Sequence, residues 1–261
     1  MTVASDQPRI EIDGEPARTG QLRQAALSGF GHFTAMQVRG RRVRGFRHHL
    51  ARLDAANREL FTTGVDEQVL RTRILHALGD DVADASVRVY LHEAAEAPAM
   101  MVTIRPAGGM QPGPWRLMSV PYQRSIAHIK HTGDFGQRYY QRLAHAAGFD
   151  EALLTGPDGI ISEGSITNIG CFDGDKVIWP AAPALRGITM QVVEPALAEI
   201  GVPSVRAHVR VTDLRSFASV FVTNARGIAT VGQVDDQEMA VDEQLMKTLM
   251  ERYESVPWDD I

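Results

Sequence analysis

A single cysteine, Cys171, occurs in 261 residues. No intramolecular disulfide can form, and the stapled framework of a small secreted domain is excluded. No apolar run approaches the roughly 18 residues that a bilayer span requires. The opening stretch MTVASDQPRIEIDGEP carries charges where a secretory leader has its apolar core. Neither sign of charge dominates: 27 Lys and Arg stand against 32 Asp and Glu, interleaved along the chain, for a net charge of -5. Such a balance offers no basic footprint for nucleic acid or for an anionic membrane surface. The lysine-bearing glycine loop of a triphosphate site is missing, as is the GxSxG elbow of common hydrolases. His48-His49 and the pair His128 and His131 lack the spacing of a zinc site, so no metal is expected. Together these absences predict a cytoplasmic globular protein.

What is present reads as two domains. The stretch Arg9 to Ile12 is a short strand before the Asp13-Gly14 turn, and Gly31 to Val38 is a buried strand closed by the turn Arg39-Gly-Arg-Arg42. Phe46, Leu50, Leu53 and Leu60 recur at helical spacing up to Phe61, and a second helix spans about Asp66 to Leu78. Strands follow at Val87 to Leu91 and Met100 to Ile104, completing an α+β unit over residues 1–107. Residues 108–114 lie in a tract with three prolines and three glycines in nine positions, which neither a helix nor a central strand tolerates. Beyond it, residues 115–261 alternate strands with helices near Phe135 to Ala147, Ile188 to Ile200 and from Val241. That pattern predicts a barrel-like or two-layer α/β domain.

Three local patterns could carry chemistry. Lys130 lies in Ser125-Ile-Ala-His-Ile-Lys-His131, between an apolar residue and a histidine; partial desolvation there would free its amine as a nucleophile. Taken alone it reads first as a surface lysine at a strand end, since lysines are mostly exposed. Glu163, followed by Gly164-Ser165, could aim a carboxylate into a cleft, or could be an ordinary polar loop residue. Arg186-Gly-Ile-Thr189 opens a helix whose N–H groups and threonine hydroxyl can cradle a phosphate, although a common helix cap has the same appearance.

In order and spacing these segments resemble one family, the fold type IV pyridoxal-phosphate enzymes or class IV aminotransferases. The resemblance runs from about Gly29 to Val231. It rests on Gly31-His-Phe-Thr34, His49-Leu-Ala-Arg-Leu53, Ile129-Lys-His131, Asp150-Glu-Ala-Leu-Leu154, Ser162-Glu-Gly-Ser165 with Asn168, and Gly187-Ile-Thr189. It implies a small α+β N-terminal domain and a larger barrel-like α/β C-terminal domain, the second holding pyridoxal 5'-phosphate. By the same resemblance Lys130 would carry the cofactor as a Schiff base and shuttle the proton, while Glu163 would hold the pyridine nitrogen protonated. Arg52, Ile188 and Thr189 would bind the phosphate, with Asn224 where relatives place a threonine. Phe33, Thr34, Ala225 and Arg226 would face the substrate.

The pattern also departs from its relatives. Phe135 stands where branched-chain enzymes have a tyrosine, and Leu91-His-Glu-Ala-Ala-Glu-Ala-Pro98 lacks the arginine with which other relatives clamp a substrate carboxylate. The resemblance therefore implies a homodimeric transaminase, moving an amino group from an amine or amino acid, (R)- or D-configured donors included, to a 2-oxo acid. Aminodeoxychorismate lyase is the alternative, since Phe33-Thr34, Ile129-Lys-His131 and Asn224-Ala225 look more like that enzyme. A non-catalytic binding module would have no use for both Lys130 and Glu163.

Overall fold

The computed structural model describes residues 8–261; part of the leader reading, residues 1–7, lies outside the described residues. The chain is mixed α+β with two sheets. Its described residues form two compact units, one of residues 8–108 with Ile129–Gly133 and Pro257–Ile261, the other of Gly109–His128 and Asp134–Val256. The division falls inside the proline- and glycine-rich tract. The short segment carrying Lys130 groups with the first unit.

The first unit contains β1 (Arg9–Ile12), β2 (Glu15–Pro16), α1 (Thr19–Ser28), β3 (Gly31–Arg39), β4 (Arg42–Arg44), α2 (Phe46–Phe61), α3 (Glu67–Leu78), β5 (Ala85–His92) and β6 (Ala99–Pro106). Its sheet runs from the C-terminal strand Trp258–Asp260 through β4, β3, β5, β6 and β1 to β2. Period-two alternation sends Met36, Val38, Val87, Val89, Val102 and Ile104 to one face. There they join Phe46 and Leu53 of α2 and Leu70, Ile74 and Leu78 of α3 in one core. Asp66 caps α3 by accepting from the Val69 N–H at 2.8 Å. The opposite face of the sheet carries Phe33, Ala35, Arg88 and Tyr90, all half-buried. Helix α1 buries none of its residues, so no apolar stripe marks it in the sequence.

The second unit holds β7 (Trp115–Pro121), α4 (Phe135–Ala146), β8 (Glu151–Thr155), β9 (Ile161–Gly164), β10 (Asn168–Phe172), β11 (Val177–Pro180), α5 (Ile188–Ala198), β12 (Ser204–Ala207), β13 (Ser219–Asn224), β14 (Gly227–Val234), β15 (Gln237–Glu238) and α6 (Glu243–Ser255). Its nine-stranded sheet has the order β12-β11-β10-β13-β14-β7-β8-β9, with β15 paired to β14. Every residue of β8, β9 and β10 is buried, and these near-continuous runs are strands covered on both faces. Among the described residues no helix is long and apolar enough to cross a membrane, and no cluster of three or more His, Cys, Asp or Glu side chains could hold a metal ion.

Candidate active site

In the first unit, the site is built on the N-terminal half of β3. Strand β4 pairs only with Val38 and Arg39, which leaves the edge of residues 31–33 open to another partner. The Lys130 segment takes that place. Phe33 N–H donates to the Lys130 carbonyl at 2.9 Å, Thr132 N–H donates to the Gly31 carbonyl at 2.9 Å, and His131 bridges to His32. Backbone pairing thus sets the position of residue 130 along β3. The Lys130 Nζ stands 5.0 Å from the centroid of the Phe33 ring, within cation–π range.

The same ring has other neighbours. Tyr90, directly opposite Phe33 in the β3–β5 register, stacks on it at 5.0 Å. The Arg88 guanidinium lies 5.9 Å from the Phe33 centroid and donates to the Tyr90 hydroxyl at 3.3 Å. Among the described residues no carboxylate pairs with Arg88. Residues 92–98 contain no arginine, but four residues before His92 a cation stands on the face that Phe33 and Lys130 share. Sequence reading overlooked it because only strand alternation, combined with the register to β3, brings Arg88 and Phe33 to one face.

Thr34 points the other way, toward α2. It is fully buried, and its hydroxyl shares a 2.7 Å hydrogen bond with His49 Nδ1 and accepts from Arg52 Nη2. Burial, with the positive charge of Arg52 and then of His48, holds His49 well below its ordinary pKa. His32, bonded to Asn57 at 3.2 Å, is also held down, chiefly by burial. Arg52, pushed by burial down to about 10, remains the protonated member of the cluster at neutral pH. Its Nε is shielded from solvent without a hydrogen-bond partner, and among the described residues it has no acid partner. A desolvated guanidinium with a spare N–H suits an anion such as a phosphate.

In the second unit, β9 presents Glu163, which is 5% exposed. Its Oε1 accepts from Arg124 Nη1 at 2.9 Å, an ion pair buried on both sides, and its Oε2 accepts from Leu185 N–H at 3.2 Å. Arg124 is itself steadied by a 2.9 Å bond to the Ala127 carbonyl. Asn168 fixes the loop before α5, donating to the Leu185 carbonyl at 2.6 Å. A Cβ on Gly187 would come within 2.0 Å of Asn168 Oδ1, so glycine is what permits that approach. Gly187 caps α5 without a side-chain bond, leaving the first backbone N–H groups, those of Ile188 and Thr189 among them, pointing out of the helix. The Thr189 hydroxyl donates to the Asn224 carbonyl at 2.6 Å. Asn224 Oδ1 accepts from Arg226 N–H at 2.8 Å and so shapes the β13–β14 turn, where Ala225 is half-buried and Arg226 exposed. Phe135, the tyrosine position of branched-chain enzymes, is 81% exposed on α4.

A second acid lies beneath Glu163. Glu151 is fully buried, and burial pushes its carboxyl up to about 7 from 4.5, with Glu163 adding to the rise; bonds from Ile166 N–H, Thr167 and Ser165 oppose it. A carboxyl raised in the folded state contributes stability that is complete below the unfolded value and is lost as pH climbs through the folded one. The unfolding free energy of the cofactor-free protein is therefore expected to fall between about pH 5 and 7 by on the order of 3 kcal/mol from this group. Denaturant midpoints measured across that range check it, and Glu151→Gln is expected to flatten the slope.

The family profile described as Amino-transferase class IV matches residues 31–234, more than three-quarters of the chain. The chain belongs to the class IV aminotransferases. No curated protein matches it significantly. Among solved structures it is similar to the branched-chain amino acid aminotransferase of Escherichia coli, with TM-score 0.81, 18% identity, and coverage of 93% of this chain and 91% of that one. The 4-amino-4-deoxychorismate lyase of Pseudomonas aeruginosa gives TM-score 0.80 at 24% identity over 95% and 99%. A hypothetical aminotransferase of Mycobacterium tuberculosis in its PLP-bound form gives 0.81 at 19% over 96% and 98%. The cofactor of this class is pyridoxal 5'-phosphate, the group bound in that last structure. Both chemistries of the class IV fold thus stand among the structures that resemble this one.

Proposed function

We propose that this class IV protein is a pyridoxal-phosphate-dependent transaminase whose amino donor carries a carboxylate. The cofactor supplies an electron sink for the charge left when the donor loses its proton. The chain supplies the rest. The Lys130 amine attaches the cofactor and carries the proton, and Glu163 holds the ring nitrogen protonated. Arg52 and the Ile188 and Thr189 N–H groups bind the phosphate. Lining for the substrate comes from Phe33, with Thr34 acting through Arg52, and from Ala225 in the β13–β14 turn.

The observation that carries the donor assignment is Arg88. A guanidinium without an acid partner among the described residues, beside the same Phe33 ring as the Lys130 amine, is the group a donor carboxylate would meet. Arg88→Ala is expected to lower kcat/KM for an amino acid by about 10- to 100-fold, the usual worth of a charged hydrogen bond, and to spare a simple (R)-amine. Half-reaction absorbance with both donors measures this, with Arg226→Ala as the exposed control. Equal losses on both donors would favour an amine substrate and refute the assignment. The lyase remains the second reading, on the resemblance of Phe33-Thr34 and Asn224-Ala225. Pyruvate released from 4-amino-4-deoxychorismate without any 2-oxo acid acceptor would establish it.

We also read the chain as a homodimer. Phe135, Tyr139 and Leu143 form an apolar stripe at four-residue spacing on α4, with exposures of 81%, 50% and 41%. Sedimentation is expected to give twice the 28.7 kDa chain mass. An active monomer at working concentration would contradict this.

A further inference from the structure

The geometry points to Glu151 as a positioning residue that aims Glu163 by locking the turn that follows it, an inference that rests on reading Glu163 as the acid of the cofactor nitrogen. Glu151 opens β8, and its strand pairs with β9, where Leu153 faces Gly164 and Leu154 faces Glu163. Its side chain reaches past that ladder into the turn between β9 and β10. Oε1 accepts from Ile166 N–H at 2.6 Å and from Ser165 Oγ at 3.2 Å, and Oε2 accepts from Thr167 Oγ1 at 3.0 Å.

Three consecutive residues of one turn thus share one buried carboxylate. Backbone bonds close the same turn: Gly164 N–H donates to the Thr167 carbonyl at 2.9 Å, and Ser165 N–H to the Ala152 carbonyl at 2.9 Å. The packing leaves no slack at its start. A Cβ on Gly164 would lie 2.2 Å from Thr167 Oγ1 and 2.7 Å from Glu151 Oε1, so residue 164 must be glycine for the acid to come this close. Glu163 is the residue immediately before that glycine. With the chain fixed on its C-terminal side by Glu151, the Glu163 carboxylate is directed toward Arg124 and the Leu185 N–H.

A buried carboxylate carries a large desolvation cost, which a turn formed from backbone bonds alone would not incur. The bonds it accepts from Ser165, Ile166 and Thr167 offset part of that cost and in doing so fix the turn. The hydrogen bonds of Glu151 go to residues 165–167 and those of Glu163 to Arg124 and the Leu185 N–H, and this separates a positioning role from a merely local one. The Leu185 amide reports where Glu163 stands, because Glu163 is the acid it donates to.

Amide hydrogen exchange on the cofactor-free chain tests the inference. In Glu151→Ala, exchange at Ile166 and at Leu185 is expected to accelerate about tenfold or more, while the amides of the β13–β14 hairpin keep their rates. Glu151→Gln should restore both, because its amide oxygen can accept from Ile166 N–H while its NH2 donates to Thr167 Oγ1. Should the alanine variant fail to fold, Glu151→Asp, one methylene too short to span the turn, is expected to give the same localised loss. Fast exchange at Ile166 with Leu185 as in the parent protein would overturn the inference, as would a uniform loss over the whole unit. The measurement needs no bound cofactor, so misassignment of Lys130 or Glu163 to pyridoxal phosphate would leave its outcome unchanged.

Discussion

Lys130→Ala is expected to reduce turnover to background and to remove the borohydride-reducible absorbance of the holoenzyme. Two losses combine. Proton transfer by a positioned side chain contributes about 10²–10⁴-fold, and covalent attachment of the cofactor through the same amine is lost as well. The fold should survive, because backbone bonds through the Lys130 carbonyl and the Thr132 N–H, which the substitution leaves in place, hold the segment to β3. Circular dichroism and thermal unfolding of the cofactor-free variant check that point. Finding the borohydride-trapped adduct on another lysine would refute the assignment and the donor reading built on it.

Glu163→Gln is expected to slow the proton-transfer half-reaction about 100-fold, equivalent to about 2.7 kcal/mol of transition-state stabilisation. Here the substitution is more disruptive than its small change of shape suggests. One carboxylate oxygen accepts from Arg124 and the other from Leu185 N–H, so the NH2 of glutamine must face a donor in either orientation. It also removes the negative charge from a buried ion pair, and breaking such a pair costs up to about 3–5 kcal/mol. The variant should therefore melt lower and lose rate together. Single-turnover absorbance separates the two effects at a temperature where the variant is fully folded. A near-normal rate there would reduce Glu163 to a structural partner of Arg124.

The contrast between Lys130 and its neighbours illustrates where local information ends. Helices α2 and α3 were legible because Phe46, Leu53, Leu70, Ile74 and Leu78 repeat at the period of a helix. Their boundaries carry chemical marks as well, such as the Asp66 cap. Helix α1 and the C-terminal strand Trp258–Asp260 left no such mark. The first buries nothing, and the second pairs with β4 more than two hundred residues earlier, so its strand character comes from that partner.

Class IV membership, the lysine and acid on which the chemistry is proposed to turn, and the regular elements with an apolar period were all legible along the chain. Those properties are written in residue identity and short-range spacing. The surroundings of each of these residues come from the folded chain. It pairs Lys130 with β3, brings Arg88 and Tyr90 to the Phe33 ring, sets Arg124 against Glu163 and places Glu151 under the next turn. Each of these contacts joins residues on different elements, through strand register and burial. A residue's own neighbours in the chain carry no record of the register, so a buried glutamate and a half-buried arginine look there like any other charged residue.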